Sequence, residues 1–391
     1  MRPLLLVVSP FPPPADGIAE HTKNLVNCWV LTHRVVILAP GDGRSDTLPV
    51  VDHNGETHDV VVHRILGGWK TRTSVREFIR NSGAQAMYCQ YTISSYGFAL
   101  ASVHAAIAAG TEAGMSVICG LHEPEREPAS LPILAAMLYR RVLRSGVHPV
   151  AFSERAGDAV REFSPTHPVT VLPHGVPVLP VPSDEQIQGV RTRYGNAPIV
   201  LGLGFTHHDK GTDLLVESAR LDDGGTYLTL IAGTPRTRRG LFKVFGFRDV
   251  RYHRSLVRLA SQLPVGRVRF AGFVPNDEMP ALLAAASVVV LPYRSGSQSG
   301  IASLTVAAGR PSIASDLPGL REQLGDGALY VPVGDPVALA EAIAAVLTQN
   351  DVLRKLQSHT ELLREQGQYP EVAVRILAAA ENKTVCVNAA Q

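Results

Sequence analysis

The sequence has 391 residues, of which 45% are hydrophobic and 18% are charged. This length exceeds one ordinary α/β core and predicts two domains, and the composition is typical of a packed globular protein rather than a disordered one. With 37 Lys and Arg against 35 Asp and Glu, the net charge of +2 argues against a dedicated nucleic-acid-binding protein.

The cysteines and the N-terminus indicate a compartment. The four cysteines contain no CxxC pair, which argues against a metal or redox pair, and their low number fits a reducing environment. The apolar run after Arg2 stops at Ser9 without a small-residue cleavage site, so it predicts a buried strand rather than a signal peptide. No apolar run approaches the roughly 20 uninterrupted residues of a membrane-spanning helix. We therefore expect a cytoplasmic protein.

In the first half of the chain, short apolar runs alternate with amphipathic segments. Several runs are apolar at every position, as in strands buried on both faces of a parallel sheet. The predicted strands are Pro3–Val8, Arg34–Ala39, His58–Ile65, Ala84–Tyr91, Met115–Gly120, Pro149–Phe152 and Val169–Leu172. The predicted helices include Ile18–Trp29, Phe98–Gly110 and Pro132–Leu143.

A proline-rich stretch, Pro173–Pro182, separates this half from a second one. Four prolines in ten residues exclude a helix and predict a stiff connector. The second half has predicted strands Ile199–Leu203, Tyr227–Ala232, Val268–Ala271, Ser287–Leu291 and Pro311–Ala314. Its predicted helices are Thr212–Arg220, Asp277–Ala286 and Pro336–Leu347, and a last helix near Pro370–Glu381 follows a separate helical stretch.

This alternation predicts an α/β protein with two Rossmann-like domains facing a central cleft. The predicted boundaries are 1–178, 179–368 and a C-terminal helical segment, 369–391. A dehydrogenase or a binding protein could share this plan. However, no GxGxxG follows a predicted strand, which argues against a nicotinamide cofactor.

Four loops at predicted strand ends could carry chemistry. Gly17 and Ile18 open a helix after a proline-rich loop, and Lys210 lies beside a glycine at a strand-to-helix corner; both places suit a diphosphate, although each is also an ordinary turn. A serine- and glycine-rich loop spans Pro292–Gly300. His122 and Glu123 follow another strand and could bind hydroxyls or move protons, or could be structural.

A basic stretch with interspersed aromatic residues runs from Arg236 to Arg258. It could contact an anionic lipid headgroup or an acceptor, or it could simply be a solvated loop and helix face.

In combination, these loops resemble glycosyltransferase family 4, whose members adopt the GT-B fold. The motifs come in family order over nearly the whole chain: Pro13–His21, Gln90-Tyr91, Leu121-His122, Pro173–Val176, Lys210-Gly211-x-Asp213, Phe270–Pro275, Val288–Tyr293, Gln298–Gly300 and Ala308–Ala314. The resemblance implies a retaining transfer of sugar from a UDP- or GDP-sugar. The acceptor would be a hydroxyl of a glycan, a lipid-linked molecule or a small natural product. The last helix would cross back to the first domain.

The resemblance also implies roles for individual residues. His122 would lie near the donor sugar and Lys210 would neutralise the donor diphosphate; these two are the candidate catalytic residues. The other candidate donor-binding residues are Gly17, Ile18, His207, Phe273, Arg294, Ser297, Gln298, Ser299, Gly300 and Ile301. The candidate acceptor-binding residues are His21, Gln90, Tyr91 and Glu123, with acceptor choice in loops such as Gly41–Gly55 and Glu123–Ala129. No metal or other cofactor is expected, and a peripheral contact with the inner face of the membrane is left open.

The chain departs from the family pattern at three positions. Gly296 and Leu304 replace the two glutamates of a Glu-x7-Glu motif, and Phe205 replaces an arginine that commonly precedes the phosphate-binding lysine. His207 or Arg294 could supply that charge. These departures keep open a catalytically degenerate homologue that binds nucleotide or a partner protein. A third hypothesis is a phosphorylase or epimerase with the same fold.

Overall fold

The computed structural model describes residues 2–12, 17–52, 54–122, 124, 132–235, 243–296 and 299–380. The chain divides into two compact units. Unit 1 contains residues up to Gly175 and those from Gly367 onward, and unit 2 is Val176–Gln366. The first boundary falls inside the proline-rich connector. The prolines there restrict the backbone and prevent a helix from running between the two units.

Unit 1 alternates strands and helices in the order predicted for a doubly wound fold. Its strands are β1 Leu4–Val8, β2 Arg34–Pro40, β3 Ser45–Val51, β4 Thr57–Leu66, β5 Ala86–Tyr91, β6 Ser116–Leu121, β7 His148–Ala151 and β8 Thr170–Val171. Its helices are α1 Gly17–Trp29, α2 Arg72–Asn81, α3 Ile93–Tyr96, α4 Leu100–Glu112, α5 Pro132–Leu143, α6 Glu154–Phe163 and α15 Tyr369–Ala378.

The strands of unit 1 form one sheet in the order β3-β4-β2-β1-β5-β6-β7-β8. All neighbours are parallel except β3 and β4. Side chains of α2, α4, α5 and α6 join the core cluster on one face of the sheet, whereas those of α1 and α15 join the other cluster. The last helix therefore packs within unit 1, next to α1.

Strand β3 corrects one expectation. The region Gly41–Gly55 was expected to be a loop that selects the acceptor, but Ser45–Val51 forms an edge strand antiparallel to β4. Its exposed and partly exposed residues alternate, and only Val50 is buried. A proline, Pro49, and exposed polar residues are typical of edge strands, and they hide the apolar pattern by which a strand is usually predicted.

The helical stretch Ile93–Glu112 passes through α3, a short 3-10 turn and α4. With 20 residues and a mean hydropathy of 1.3, it is long and apolar enough to cross a membrane by length and composition alone. Half of it is buried inside unit 1, where Val103, Ala106 and Ala109 belong to the core. This burial is typical of a core helix rather than of a membrane-spanning one.

Unit 2 repeats the alternation. Its strands are β9 Ile199–Leu203, β10 Leu228–Ala232, β11 Val268–Gly272, β12 Val288–Leu291, β13 Ser312–Ser315 and β14 Ala328–Val331. Its helices are α7 Asp184–Tyr194, α8 Thr212–Ser218, α9 Lys243–Ala260, α10 Met279–Ala285, α11 Gly300–Ala307, α12 Pro318–Leu324, α13 Pro336–Thr348 and α14 Asn350–Gln366.

The six strands of unit 2 are all parallel, in the order β11-β10-β9-β12-β13-β14. Strand β9 lies between β10 and β12, so the loops that follow these three strands meet at one edge of the sheet. Ligands of open parallel sheets bind outside the carboxyl ends of the strands. The fold therefore brings together the loops that carry Lys210 and Arg294.

Helix α7 was not predicted because its apolar stripe is short: only Ile187, Val190 and Tyr194 pack against the core of unit 2, and each is only partly buried. None of its residues is buried. Its start is instead specified by a capping box, in which the Ser183 side chain accepts from Gln186 N–H and the Gln186 side chain accepts from Ser183 N–H. Such a cap satisfies N–H groups that would otherwise lack a partner at a helix start.

Candidate functional site

The loop after β9 runs beside the loop after β10. Gly204 has a positive φ of 112° and donates its N–H to Ala232 O at 2.9 Å. Thr206 N–H then donates to Thr234 O at 3.0 Å. A Cβ on Gly233 would lie 1.8 Å from Gly204 O, so only glycine at position 233 allows this approach.

Lys210 is held against the end of β12. It ends a short 3-10 turn, and Gly211 follows with a left-handed φ of 60°. A Cβ on Gly211 would lie 1.8 Å from Pro292 O. The Lys210 ammonium lies 3.6 Å from the centroid of the Tyr293 ring. No carboxylate among the described residues lies within 4 Å of this partly exposed ammonium, so its charge can serve an anionic ligand.

We expect Gly211→Ala to destabilise unit 2 by about 2–4 kcal/mol, because the new methyl group overlaps Pro292 O and the backbone is left-handed. Gly189→Ala is the matched control: it lies on exposed α7, and nothing lies within 4 Å of its Cβ position. This control should be neutral or slightly stabilising, since alanine favours a helix. Urea unfolding followed by circular dichroism measures both. Equal stability of the two variants would show that the close approach at Gly211 is not required.

Arg294 is engaged inside the protein. Its two terminal nitrogens each donate to one oxygen of the Asp213 carboxylate at 2.7 Å, and one of them also donates to His208 O at 3.0 Å. Burial alone would raise the pKa of Asp213, but the hydrogen bonds from Arg294 and Tyr252 outweigh it and lower that pKa. The pair therefore fixes the Lys210 loop to the β12 loop, and a donor would have to share Arg294 with Asp213.

Helix α9 supports the same loop with residues that the sequence did not suggest as site residues. The Tyr252 hydroxyl donates to Asp213 Oδ1 at 2.5 Å and accepts from Asp213 N–H at 3.1 Å. The next residue, His253, hydrogen-bonds Thr206 Oγ1 through Nδ1 at 3.1 Å. Tyr252 thus occupies the Asp213 N–H group in the first turn of α8, so this N–H is not free to bind a phosphate.

The loop after β12 leads into α11 through a capped serine. The Ser299 hydroxyl lies 2.9 Å from the Tyr293 hydroxyl and caps α11 at Ala302 N–H. The Ser299 N–H, expected to face a phosphate or sugar, donates to Gln323 Oε1 at 2.7 Å. Gly300 begins α11. Ser297 and Gln298 lie outside the described residues.

The other candidate donor-binding residues of unit 2 have different environments. Ile301 packs close to Gly204. His207 is partly buried, and its Nδ1 lies 3.8 Å from an Asp209 carboxylate oxygen. Phe273, which follows β11, is exposed. The described residues therefore place Lys210, Arg294, His207, Ser299, Gly300 and Ile301 in loops or helix starts at the carboxyl edge.

Unit 1 contains a cluster of three histidines that we name the histidine cluster: His21, His122 and His174. The His21 ring centroid lies 4.9 Å from that of His122 and 4.5 Å from that of His174. His21 Nδ1 lies 2.7 Å from the Tyr369 hydroxyl on α15, and His122 stacks on Phe152 at 4.5 Å. The last helix therefore supports the first-domain candidate site directly.

Gln90 orients His122 rather than facing solvent. Its Oε1 lies 2.8 Å from His122 Nε2, and the Gln90 side chain is fully buried. A Cβ on Gly120 would lie 2.7 Å from that Oε1, so glycine makes room for the contact. With Nε2 donating to Gln90, the lone pair of a neutral His122 lies on Nδ1.

All three histidines of the cluster are neutral near pH 7. Burial lowers the pKa of His122 to about 3, with a contribution from His174, and lowers that of His174 to about 4. Burial and the two neighbouring histidines hold the pKa of His21 well below its usual value. His122 can therefore accept a hydrogen bond but does not supply a positive charge at neutral pH.

Not every candidate of unit 1 reaches this cluster. Tyr91 is fully buried in the opposite core, where its hydroxyl lies 3.0 Å from His104 Nε2. Adjacent residues of a strand point to opposite faces, which explains why Gln90 and Tyr91 separate. Gly17 and Ile18 begin α1, and Gly17 is exposed. Glu123 lies outside the described residues.

Within the part of the chain that the structure describes, one group of side chains could hold a metal ion by proximity. Ligand atoms of Asp52, Glu56 and His58 lie within 4.8 Å of one another. However, Asp52 Oδ1 accepts from the N–H groups of Asn54 and Glu56, and Oδ2 lies 2.8 Å from His58 Nε2. The group closes the turn between β3 and β4, away from the strand ends described above.

Comparison with known proteins defines the class. Residues 197–349 match the family model "Glycosyl transferases group 1". Among solved structures, sucrose-phosphate synthase from Thermosynechococcus elongatus superposes with a TM-score of 0.73 at 17% identity, covering 98% of this chain and 100% of that one. The Anabaena protein HepE, solved with UDP-glucose, has a TM-score of 0.70 at 14% identity and covers 97% and 99%. These likenesses confirm the GT-B fold.

Sequence relatives agree with that class. A GDP-mannose-dependent α-(1-6)-phosphatidylinositol monomannoside mannosyltransferase of Mycobacterium tuberculosis is 27% identical over 377 residues, 90% of each chain. A 2-deoxystreptamine N-acetyl-D-glucosaminyltransferase of Streptomyces fradiae is 29% identical over 230 residues. That match covers 57% of this chain and about half, 52%, of the relative. The chain is thus similar in sequence to glycosyltransferases, and the matched residues 197–349 lie in unit 2.

Proposed function

We propose that the protein is a retaining glycosyltransferase that moves a sugar from a UDP- or GDP-sugar to a hydroxyl group of an acceptor. The observation that carries the proposal is the position of Lys210. Its ammonium lies over the Tyr293 ring at the carboxyl edge of unit 2, and no carboxylate of the described residues lies within 4 Å of it. A cation at this edge suits the diphosphate of a nucleotide sugar.

In this proposal Lys210 acts mainly in the transition state. The bond between the anomeric carbon and the diphosphate breaks while the acceptor oxygen bonds to the same carbon on the same face. The departing phosphate gains charge, which Lys210 stabilises, and takes the proton of the acceptor hydroxyl. We expect no metal ion to be needed, so a chelator should leave the rate unchanged.

Unit 1 would contribute His122 to the donor sugar. Because its imidazole is neutral and donates to Gln90, His122 offers an acceptor atom, Nδ1, to a sugar hydroxyl. A general-acid role at neutral pH does not fit a pKa of about 3. His21 and His174 would hold His122 in place through their ring contacts.

We take the candidate donors and acceptors from the names of the relatives. The relatives include a GDP-mannose-dependent phosphatidylinositol monomannoside mannosyltransferase and a 2-deoxystreptamine N-acetyl-D-glucosaminyltransferase. HepE was solved with UDP-glucose. These names support testing UDP- and GDP-sugars against lipid-linked, glycan and small-molecule acceptors.

The experiment is a transfer assay with UDP- and GDP-sugars and an acceptor panel, read by mass spectrometry. The anomeric proton of any product, observed by nuclear magnetic resonance, then gives the stereochemistry. We expect a product with the anomeric configuration of the donor. An inverted product would contradict the retaining mechanism, and phosphate-dependent sugar release without transfer would favour a phosphorylase.

A second candidate rests on Gly296 and Leu304, which replace the glutamates of the family pattern. Without those carboxylates, the protein would bind nucleotide and regulate a partner without transferring sugar. Tight nucleotide binding with neither transfer nor hydrolysis across the donor panel would favour this candidate.

A further inference from the structure

The last helix packs into unit 1 through Tyr369, which begins α15 and is only 4% exposed. Its ring lies against the backbone of Gly175: a Cβ at that glycine would lie 2.6 Å from two atoms of the ring. One turn further along α15, Ala373 O accepts from Trp29 Nε1 on α1 at 3.0 Å. Tyr369 therefore has a fixed place in unit 1, between α1 and the segment that follows β8.

The Tyr369 hydroxyl holds one member of the histidine cluster. It lies 2.7 Å from His21 Nδ1, and the side chain of Asn24, one turn further along α1, also hydrogen-bonds it. Burial raises the pKa of Tyr369, so the hydroxyl keeps its proton. Because a hydroxyl can both donate and accept, it can hold the His21 ring whichever ring nitrogen carries the proton.

His21 in turn lies beside a stack of two rings. His122 and Phe152 stack with their centroids 4.5 Å apart and an interplanar angle of 26°. The His21 centroid lies 4.9 Å from that of His122 and 5.0 Å from that of Phe152. Its plane makes angles of 81° and 76° with theirs. Because the two distances are almost equal and both angles are steep, His21 spans both rings of the stack.

His122 depends on these ring contacts for its position. The hydrogen bond between its Nε2 and Gln90 Oε1 fixes one atom of the ring but allows rotation about that bond. Stacking on Phe152 fixes the plane of the ring, and His21 limits sliding within that plane. The position of His122 Nδ1, the atom offered to a sugar hydroxyl, therefore follows the position of His21.

We propose that Tyr369 is a positioning residue for sugar transfer: it holds His21, and His21 holds the His122 ring where Nδ1 meets the donor sugar. The inference rests on the proposed function, in which His122 accepts a hydrogen bond from a sugar hydroxyl. Tyr369 is buried and acts through His21. Its hydroxyl still matters for the rate, because a displacement on the order of 1 Å at a positioned group can lower a rate about 100-fold.

A purely structural role is the alternative, because Tyr369 also anchors α15. Trp29 supplies the matched control. It hydrogen-bonds the same helix one turn away, at Ala373 O, and its ring contacts Tyr88 at 5.0 Å. Trp29→Phe should loosen α15 and lower the urea midpoint of unfolding without lowering kcat.

The kinetic test compares the wild type, Tyr369→Phe, His21→Phe and the double variant. Tyr369→Phe keeps the ring that packs on Gly175 and so should fold. It should lower kcat about tenfold and change the KM for the donor less than about twofold, because the proposed diphosphate site is at Lys210 in unit 2. In the His21→Phe background it should have no further effect on kcat, since both substitutions act through the same ring.

A second test does not depend on sugar transfer. Long-range proton–nitrogen nuclear magnetic resonance spectra of protein labelled at histidine report each imidazole separately. Tyr369→Phe should shift the resonances of both His21 and His122 and leave those of His359, on α14 of unit 2, unchanged. Loss of a hydrogen bond without coupling would shift the His21 resonances alone.

Four results would overturn the inference: wild-type kcat in Tyr369→Phe, equal losses of kcat in Tyr369→Phe and Trp29→Phe, additive losses in the double variant, or His122 resonances that Tyr369→Phe does not move. Urea unfolding of each variant separates slower transfer from loss of fold. If the wild type transfers no sugar from any donor, the proposed function fails, and the spectra still decide whether Tyr369 positions His122.

Discussion

Lys210→Met should lower kcat/KM about 100-fold, equivalent to about 2.7 kcal/mol of transition-state stabilisation. At the carboxyl edge of unit 2, the Lys210 ammonium has no carboxylate partner among the described residues. Methionine removes this charge but keeps most of the length of the side chain. The free energy of unfolding should fall by no more than about 1 kcal/mol, the size of the contact with Tyr293 that is lost.

The matched control is Lys355→Met, which removes an exposed lysine from α14. It should leave kcat/KM and stability at the wild-type level. Initial rates of Lys210→Met at varied donor concentration separate a change in kcat from a change in KM. Loss of rate with unchanged KM indicates an interaction made in the transition state, whereas full activity of Lys210→Met would remove this residue from the mechanism.

Unit 1 should lose stability steeply as the pH falls from about 7 toward 4. The native histidine cluster stays neutral, because the pKa values of His122 and His174 are lowered to about 3 and about 4 and that of His21 is also low. In the unfolded chain these side chains protonate near their usual pKa of about 6.5. The unfolded state therefore binds more protons below pH 6.5, and each histidine costs up to about 1.4 kcal/mol per pH unit until the folded pKa is reached.

Tryptophan fluorescence reports this loss, since Trp29 and Trp69 are the chain's two tryptophans and both lie in unit 1. Burial also lowers the pKa of His104 in unit 1 to about 4, so four histidines contribute. Urea unfolding at pH 7.5, 6.5, 5.5 and 5.0 should give a slope that steepens to about 5 kcal/mol per pH unit below about pH 6. His174→Asn should reduce the slope by about a quarter, whereas His359→Asn on α14 of unit 2 should not change it. A flat profile across this range would mean that the cluster protonates in the folded state.

The fold could be predicted from the sequence because buried parallel strands leave a strong local signal. Segments such as Ile199–Leu203 are apolar at every position, and the structure has β9 there. Strand β3 has a weak apolar pattern because it is an edge strand. Helix α7 offers only Ile187, Val190 and Tyr194 to the core of unit 2 and starts at a capping box. Such elements depend on pairing partners and capping geometry more than on periodicity.

The candidate site was predictable in part. The corner at Lys210 follows from a strand, a glycine and a helix start that are adjacent in sequence. The network of Arg294, Asp213 and Tyr252 was not, because its members come from three separate segments that meet only in the folded unit. The separation of Gln90 from Tyr91 could have been deduced from the alternation of side chains along a strand.

The most direct test of the account is isothermal titration calorimetry of the wild type and Lys210→Met with UDP and GDP. We expect one of the two nucleotides to bind the wild type with a Kd in the micromolar range, roughly −8 kcal/mol, and to bind the variant at least about tenfold more weakly. Absence of binding heat with both nucleotides, or equal affinity of the two proteins, would contradict a donor diphosphate site at Lys210.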